Sequence, residues 1–140
     1  MENLQNQVAP DLFEVARALS NLGGIYRERA KLTEAEEALR QALQLWAGSN
    51  GPENFSLGAI KSNLAKLYQR QGKYLESAEL FQQTLTIHER LLRPEDPRLA
   101  ADLANLAGVR VALGRYATAE ELYLRSLSIR EKAFGSGHPD

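Results

Sequence analysis

The sequence predicts an all-α fold: an α-solenoid of three helical hairpins. The first sign is a period of 42 residues. Asn21-Leu22-Gly23, Asn63-Leu64-Ala65 and Asn105-Leu106-Ala107 fall in register at that spacing, as do Ala30-Lys31-Leu32, Gly72-Lys73-Tyr74 and Gly114-Arg115-Tyr116. Laid over each other without a gap, residues 56–97 and 98–139 agree at 13 of 42 positions, too many for a composition artefact. A fixed period of this length marks units that bury their apolar faces only against neighbours. The second sign is helical apolar spacing, with no period-two alternation to make a strand. The third is the glycine and proline punctuation between periodic stretches.

The elements follow in order. First helices of the three units are expected near residues 11–29, 56–71 and 98–113. Their apolar faces are Leu19, Leu22, Ile25 and Tyr26, then Leu64, Leu67 and Tyr68, then Leu99, Leu103, Leu106 and Val109. Second helices are expected near 33–48, 75–93 and 117–134, carrying Leu39, Leu43 and Leu45, then Leu80, Leu85 and Ile87, then Leu122, Leu127 and Ile129. Gly72 and Gly114 sit where a first helix must stop and reverse, because glycine takes the left-handed conformation without steric cost. Asp96-Pro97 and His138-Pro139 read as helix entries, with proline in the first turn. Residues 48–55 form the loosest connection. Acids open the second helices (Glu34, Glu36 and Glu37; Glu76 and Glu79; Glu120 and Glu121) and bases lie further along, which complements the helix dipole by about 0.3–1 kcal/mol per charge near an end.

Composition bounds the function. The chain has 140 residues, 44% of them apolar and 25% charged, as expected of one soluble domain. A net charge of −1 supplies no basic field for nucleic acid or an anionic membrane. Cysteine is absent, which excludes thiolate catalysis and cysteine-ligated zinc and suits a cytoplasmic protein. Residues 1–10 lack the pattern of a signal peptide, and no apolar stretch approaches the roughly 18 residues of a membrane span. No catalytic, cofactor-binding or metal site is expected. His88 and His138 stand without cysteine or a second histidine at metal spacing. Gly23-Gly24 and Gly135-Ser136-Gly137 are not phosphate loops.

The segments Gly72-Lys73-Tyr74-Leu75-Glu76-Ser77-Ala78-Glu79-Leu80-Phe81 and Gly114-Arg115-Tyr116-Ala117-Thr118-Ala119-Glu120-Glu121-Leu122-Tyr123 resemble the helix-turn-helix core of tetratricopeptide repeats. The 42-residue spacing, Ser128-Ile129-Arg130-Glu131-Lys132 and the Gly135-Ser136-Gly137-His138-Pro139 exit resemble the kinesin-light-chain variety. The resemblance divides the chain into an N-terminal extension with the start of the first helix (1–13) and repeats at 14–55, 56–97 and 98–139. Three departures stand out. Ala30 and Leu32 replace the turn glycine and aromatic of repeat 1, Arg110 stands where Tyr26 and Tyr68 stand, and Lys61 occupies a leucine position (Leu19, Leu103). For Lys61 a solvent-exposed ammonium on a bent stem is expected.

The resemblance implies a right-handed superhelix without catalysis, whose first helices line a concave groove. Groove positions carried over this way include Arg17, Ser20, Asn21, Arg27, Ser62, Asn63, Lys66, Arg70 and Asn105, with Glu28 as the one acid. The third unit adds the small, apolar Ala101, Ala104, Gly108, Val111 and Ala112. A peptide or partner helix, acidic or carboxylate-ended with an apolar flank, would suit such a surface, since arginine forks pair carboxylates. Ordinary solvated charges are the alternative. Asn21, Asn63 and Asn105 form a ladder at one helix position, suited to hydrogen bonds between repeats or to capture of a peptide backbone. At the C-terminal end no helix follows the last unit in this sequence, so a face including Tyr123, Leu127 and Phe134 is expected to lack a cover. The alternative function is therefore a structural assembly unit, a fragment or building block that forms a homo-oligomer through this hairpin, most simply as a two-fold dimer.

Overall fold

The computed structural model describes residues 11–49 and 51–135, with the side chain of residue 11 left aside. Residues 1–10, Asn50 and the exit at 136–140, His138 included, lie outside the described residues. Six helices follow one another: α1 (Asp11–Glu28), α2 (Leu32–Gly48), α3 (Phe55–Arg70), α4 (Tyr74–Leu91), α5 (Pro97–Ala112) and α6 (Tyr116–Gly135). No strand occurs among the described residues. Successive helices pair as the hairpins α1–α2, α3–α4 and α5–α6, and the hairpins stack through α2 on α3 and α4 on α5. The architecture is an all-α solenoid, as the period predicts.

The three hairpin turns share one hydrogen-bond pattern. Lys31, Lys73 and Arg115 each donate a backbone N–H to the carbonyl five residues back (Tyr26, Tyr68 and Arg110), every time at 2.8 Å. The residue before each donates to the carbonyl three back, at 3.0, 3.1 and 2.9 Å. This paired closure satisfies carbonyls that the helix end would strand, and it needs a left-handed residue in the middle. Gly72 and Gly114 supply it with φ of 80° and 76°. Ala30 supplies it too, with φ 61°, despite its β-carbon.

The core is a seam running through the stack. Leu39, Leu64, Leu67 and Tyr68 close the α2–α3 junction. Phe81, Leu85, Leu99, Leu103, Leu106 and Val109 close the α4–α5 junction. Each such side chain contributes about 1.5–3 kcal/mol when fully buried. Two buried hydroxyls tie the helices of a hairpin together at carbonyls: Ser77 of α4 donates to Ala65 of α3 at 2.7 Å and Ser126 of α6 to Ala100 of α5 at 2.8 Å.

Three expectations change. Leu22 and Ile25, on the predicted apolar face of α1, are exposed, because no described helix lies against that face. The 48–55 connection is tied down. The Trp46 indole N–H donates to the Pro52 carbonyl at 2.8 Å, Gly51 N–H donates to the Trp46 carbonyl at 2.8 Å, and the Asn54 side chain caps α3 by accepting from Leu57 N–H at 3.1 Å. Lys61 does not swing free into solvent: it is half-buried, and its Nζ donates to Gln83 Oε1 of α4 at 2.9 Å.

Candidate functional site

The surface where α1 and α3 lie side by side carries most of the groove positions predicted from the sequence. Asn63 donates its amide to Ser20 Oγ at 2.9 Å and to the Ser20 carbonyl at 3.3 Å. That bond buries Ser20, which is 3% exposed and therefore a joint between repeats more than an open groove hydroxyl. Arg70 donates to the backbone carbonyl of Arg27, a second tie from α3 to α1. Arg27 is itself largely covered and bonds Glu28 at 3.3 Å, with its buried Nη1 lacking a partner among the described residues. Arg17 is exposed and pairs with Glu14, one turn away. Three of the four groove cations thus have partners within the chain. Lys66 is exposed and has no hydrogen-bond partner among the described residues.

Next to these ties lies a hollow of about 220 Å³ lined by Arg17, Ser20, Asn21, Phe55, Ser56 and Ala59. Asn21 is exposed at its rim, while Ser62 and Asn105 are half-buried. The asparagine ladder is uneven. Asn63 makes the inter-repeat bond, but no equivalent bond joins Asn105 to Ser62 among the described residues. In the third unit Ala101, Val111 and Ala112 are exposed and Ala104 and Gly108 half-buried, so the surface there is small and apolar.

Sequence reasoning missed one polar pair. His88 Nδ1 of α4 lies 2.5 Å from Asp102 Oδ2 of α5, with the His88 and Asp102 side chains 15% and 9% exposed. Burial pushes the Asp102 carboxyl above its ordinary value of 3.8. The hydrogen bond and charge of His88 oppose that shift, as does Lys66, while Glu89 adds to it. The imidazole is wedged on its other edge by α3, where a β-carbon added to Gly58 would sit 2.7 Å from Nε2. A signal for this pair existed. Trp46 and Ile60 share one core cluster at the first junction, and one period later those two positions read His88 and Asp102. Both halves of an apolar contact become polar together.

At the C-terminal end Tyr123, Leu127 and Phe134 are all about half exposed. With Val111, Tyr116 and Leu124 they form an apolar surface on α5 and α6, part of it a shallow depression of about 500 Å³. Among the described residues no group of three or more His, Asp or Glu is gathered as a metal would need, and no helix is long and apolar enough to cross a membrane.

The tetratricopeptide repeat family model matches residues 14–90 and again 56–132, two windows set one period apart. Among solved structures, the kinesin light chain TPR-like repeats of Podosopora anserina are similar at 30% identity over 91% of this chain and 60% of that one, with a TM-score of 0.78. A single-substitution variant of those repeats aligns at 29% identity over 92% of this chain and 60% of that one, also with a TM-score of 0.78. BtubC (BKLC) from P. vanneervenii aligns at 26% identity over 90% of this chain and 50% of that one, with a TM-score of 0.75. The chain therefore spans between half and two thirds of the length of these structures. No curated protein matches the chain.

Proposed function

We propose, for a chain that belongs to the tetratricopeptide repeat family and is of the kinesin-light-chain-like type, that it is a non-catalytic protein-interaction module. Its groove, lined by α1, α3 and α5, takes a peptide or partner helix carrying a carboxylate and an apolar flank. The observation that supports this most is Lys66: an exposed ammonium with no hydrogen-bond partner among the described residues, on α3, the helix that also lines the hollow with Ser56 and Ala59. Asn21 and Arg17 at the hollow supply donors for a peptide backbone or carboxylate. The cysteine-free composition suits a cytoplasmic setting.

Lys66→Glu tests this while sparing the Arg70 tie to Arg27, with urea unfolding alongside to check the His88–Asp102 pair, whose carboxyl the Lys66 charge holds down. Acidic peptides with free C-termini, titrated against the full chain, should bind the wild type more tightly than the variant at equal helicity. Equal affinity would move the site off the groove.

The second reading is self-association, favoured by Tyr123, Leu127 and Phe134, which are 45%, 52% and 55% exposed on one face. An exposed apolar face of that kind tends to find a partner.

A further inference from the structure

We infer that copies of this chain associate head to tail, with α1 of one copy seated on α6 of the next so that the repeat stack continues across the junction. This rests on the self-association reading and goes beyond it by naming the surface on the second copy.

The two internal junctions provide the template. Where α3 meets α2, and again where α5 meets α4, three positions of the incoming first helix are closed off. Leu57, Leu64 and Leu67 are 8%, 3% and 0% exposed, and Leu99, Leu106 and Val109 are 0%, 1% and 0%. One period earlier the same positions are Val15, Leu22 and Ile25, apolar again but 44%, 38% and 55% exposed. On the receiving side, Phe81 and Leu85 of α4 are 2% and 3% exposed, whereas their equivalents Tyr123 and Leu127 of α6 are 45% and 52%. The two ends of the stack are therefore the two complementary halves of a junction that the chain already makes twice. Aliphatic side chains at one end face an aromatic and a leucine at the other.

Polar groups match in the same register. Across the α2–α3 junction Gln71 donates to Glu36 at 3.2 Å. Shifted by the period, that pair becomes Arg29 of one copy and Glu120 of the next, both exposed and of opposite charge. Asn63 donates to the Ser20 carbonyl, and the equivalent pair is Asn21, which is exposed, and the carbonyl of Ala104. A two-fold dimer of α6 faces would mate one half-junction with itself and leave both α1 faces uncovered. The head-to-tail contact covers both kinds of face and, being heterologous, adds copies in a line.

The test uses the full chain in sedimentation equilibrium at several concentrations, with two double variants at exposed positions: Leu22→Glu/Ile25→Glu on α1 and Tyr123→Glu/Leu127→Glu on α6. Helicity measured alongside confirms folding. The wild type should exceed two chains as concentration rises, each variant alone should stay at one chain, and their equimolar mixture should stop at two. A wild type that remains a single chain at high micromolar concentration overturns both this inference and self-association. An α1-face variant that still dimerises leaves self-association standing but overturns the head-to-tail contact. Should a double variant lose helicity, the charge pair decides instead. Glu120→Arg should weaken association about two- to fivefold and Arg29→Glu should restore it, and no change in either would sink the proposed register.

Discussion

His88 Nδ1 and Asp102 Oδ2 meet at 2.5 Å across the junction of α4 with α5, at positions whose counterparts one junction earlier are Trp46 and Ile60. An apolar lock has been replaced by a polar one in the same seam. Truncating one partner of a buried hydrogen-bonded pair strands the other, so the two residues act as a unit.

The pair has a pH dependence of defined sign. The Asp102 carboxyl is raised above 3.8 by burial, so its contribution to stability is fully present below its unfolded value and is lost as pH rises through its folded value. Asp102→Asn does not ionise. The variant should therefore gain on the wild type as pH is raised from below 3.8 towards neutrality, read by urea unfolding at each pH. His88→Ala removes the group that most opposes the shift, so the Asp102 carboxyl should titrate still higher by NMR.

Gly58 is the other side of the same wedge. A methyl group there would press on His88 Nε2, and His88 cannot retreat without leaving Asp102. Gly58→Ala should destabilise the wild type by about 1–3 kcal/mol through overpacking. With His88→Ala already in place the same change should stabilise by about 0.5–1 kcal/mol, the ordinary gain of alanine over glycine within a helix. Two denaturation series read this reversal of sign. Its absence would mean that the imidazole is not what glycine accommodates.

Ala30 holds a left-handed backbone that Gly72 and Gly114 hold without strain. An L-residue there costs roughly 1–2 kcal/mol. Ala30→Gly should therefore stabilise the first hairpin by about 1 kcal/mol, and Gly72→Ala should destabilise the second by a similar amount. Equilibrium unfolding measures both, and a destabilising Ala30→Gly would refute the strain.

Asp96 caps α5 from outside the seam. Hydrogen bonds from the Arg98 side chain and the Arg98 backbone N–H hold its carboxyl down to about 2 from an ordinary 3.8. Here the sign is the reverse of Asp102: the contribution is present above 3.8 and is lost as pH falls through about 2. In an NMR titration Arg98→Ala should return the Asp96 carboxyl part of the way to its ordinary value, the backbone bond accounting for what remains.

What could be read from the sequence is what a few neighbouring residues settle among themselves. The reversals at Gly72 and Gly114 and the proline entry behind Asp96 are decided by backbone sterics and hydrogen bonds spanning at most five residues, so the local sequence carries them. The 42-residue period carried the rest of the architecture, because helices that mate the same way repeat the same apolar positions. Side-chain partnerships between helices were a matter for the tertiary structure. Periodicity placed Leu22 and Leu64 on one kind of face, but burial depends on whether another helix arrives, and only Leu64 is covered. Of the cations expected in a groove, Arg70 reaches the Arg27 carbonyl and Lys66 reaches no hydrogen-bond partner among the described residues, a difference set by which backbone lies within a side chain's length. Ala30 shows the same division of authority. Its own preference is against the left-handed conformation, and the packing of α1 on α2 overrides it, since closing that hairpin outweighs the local strain of one residue.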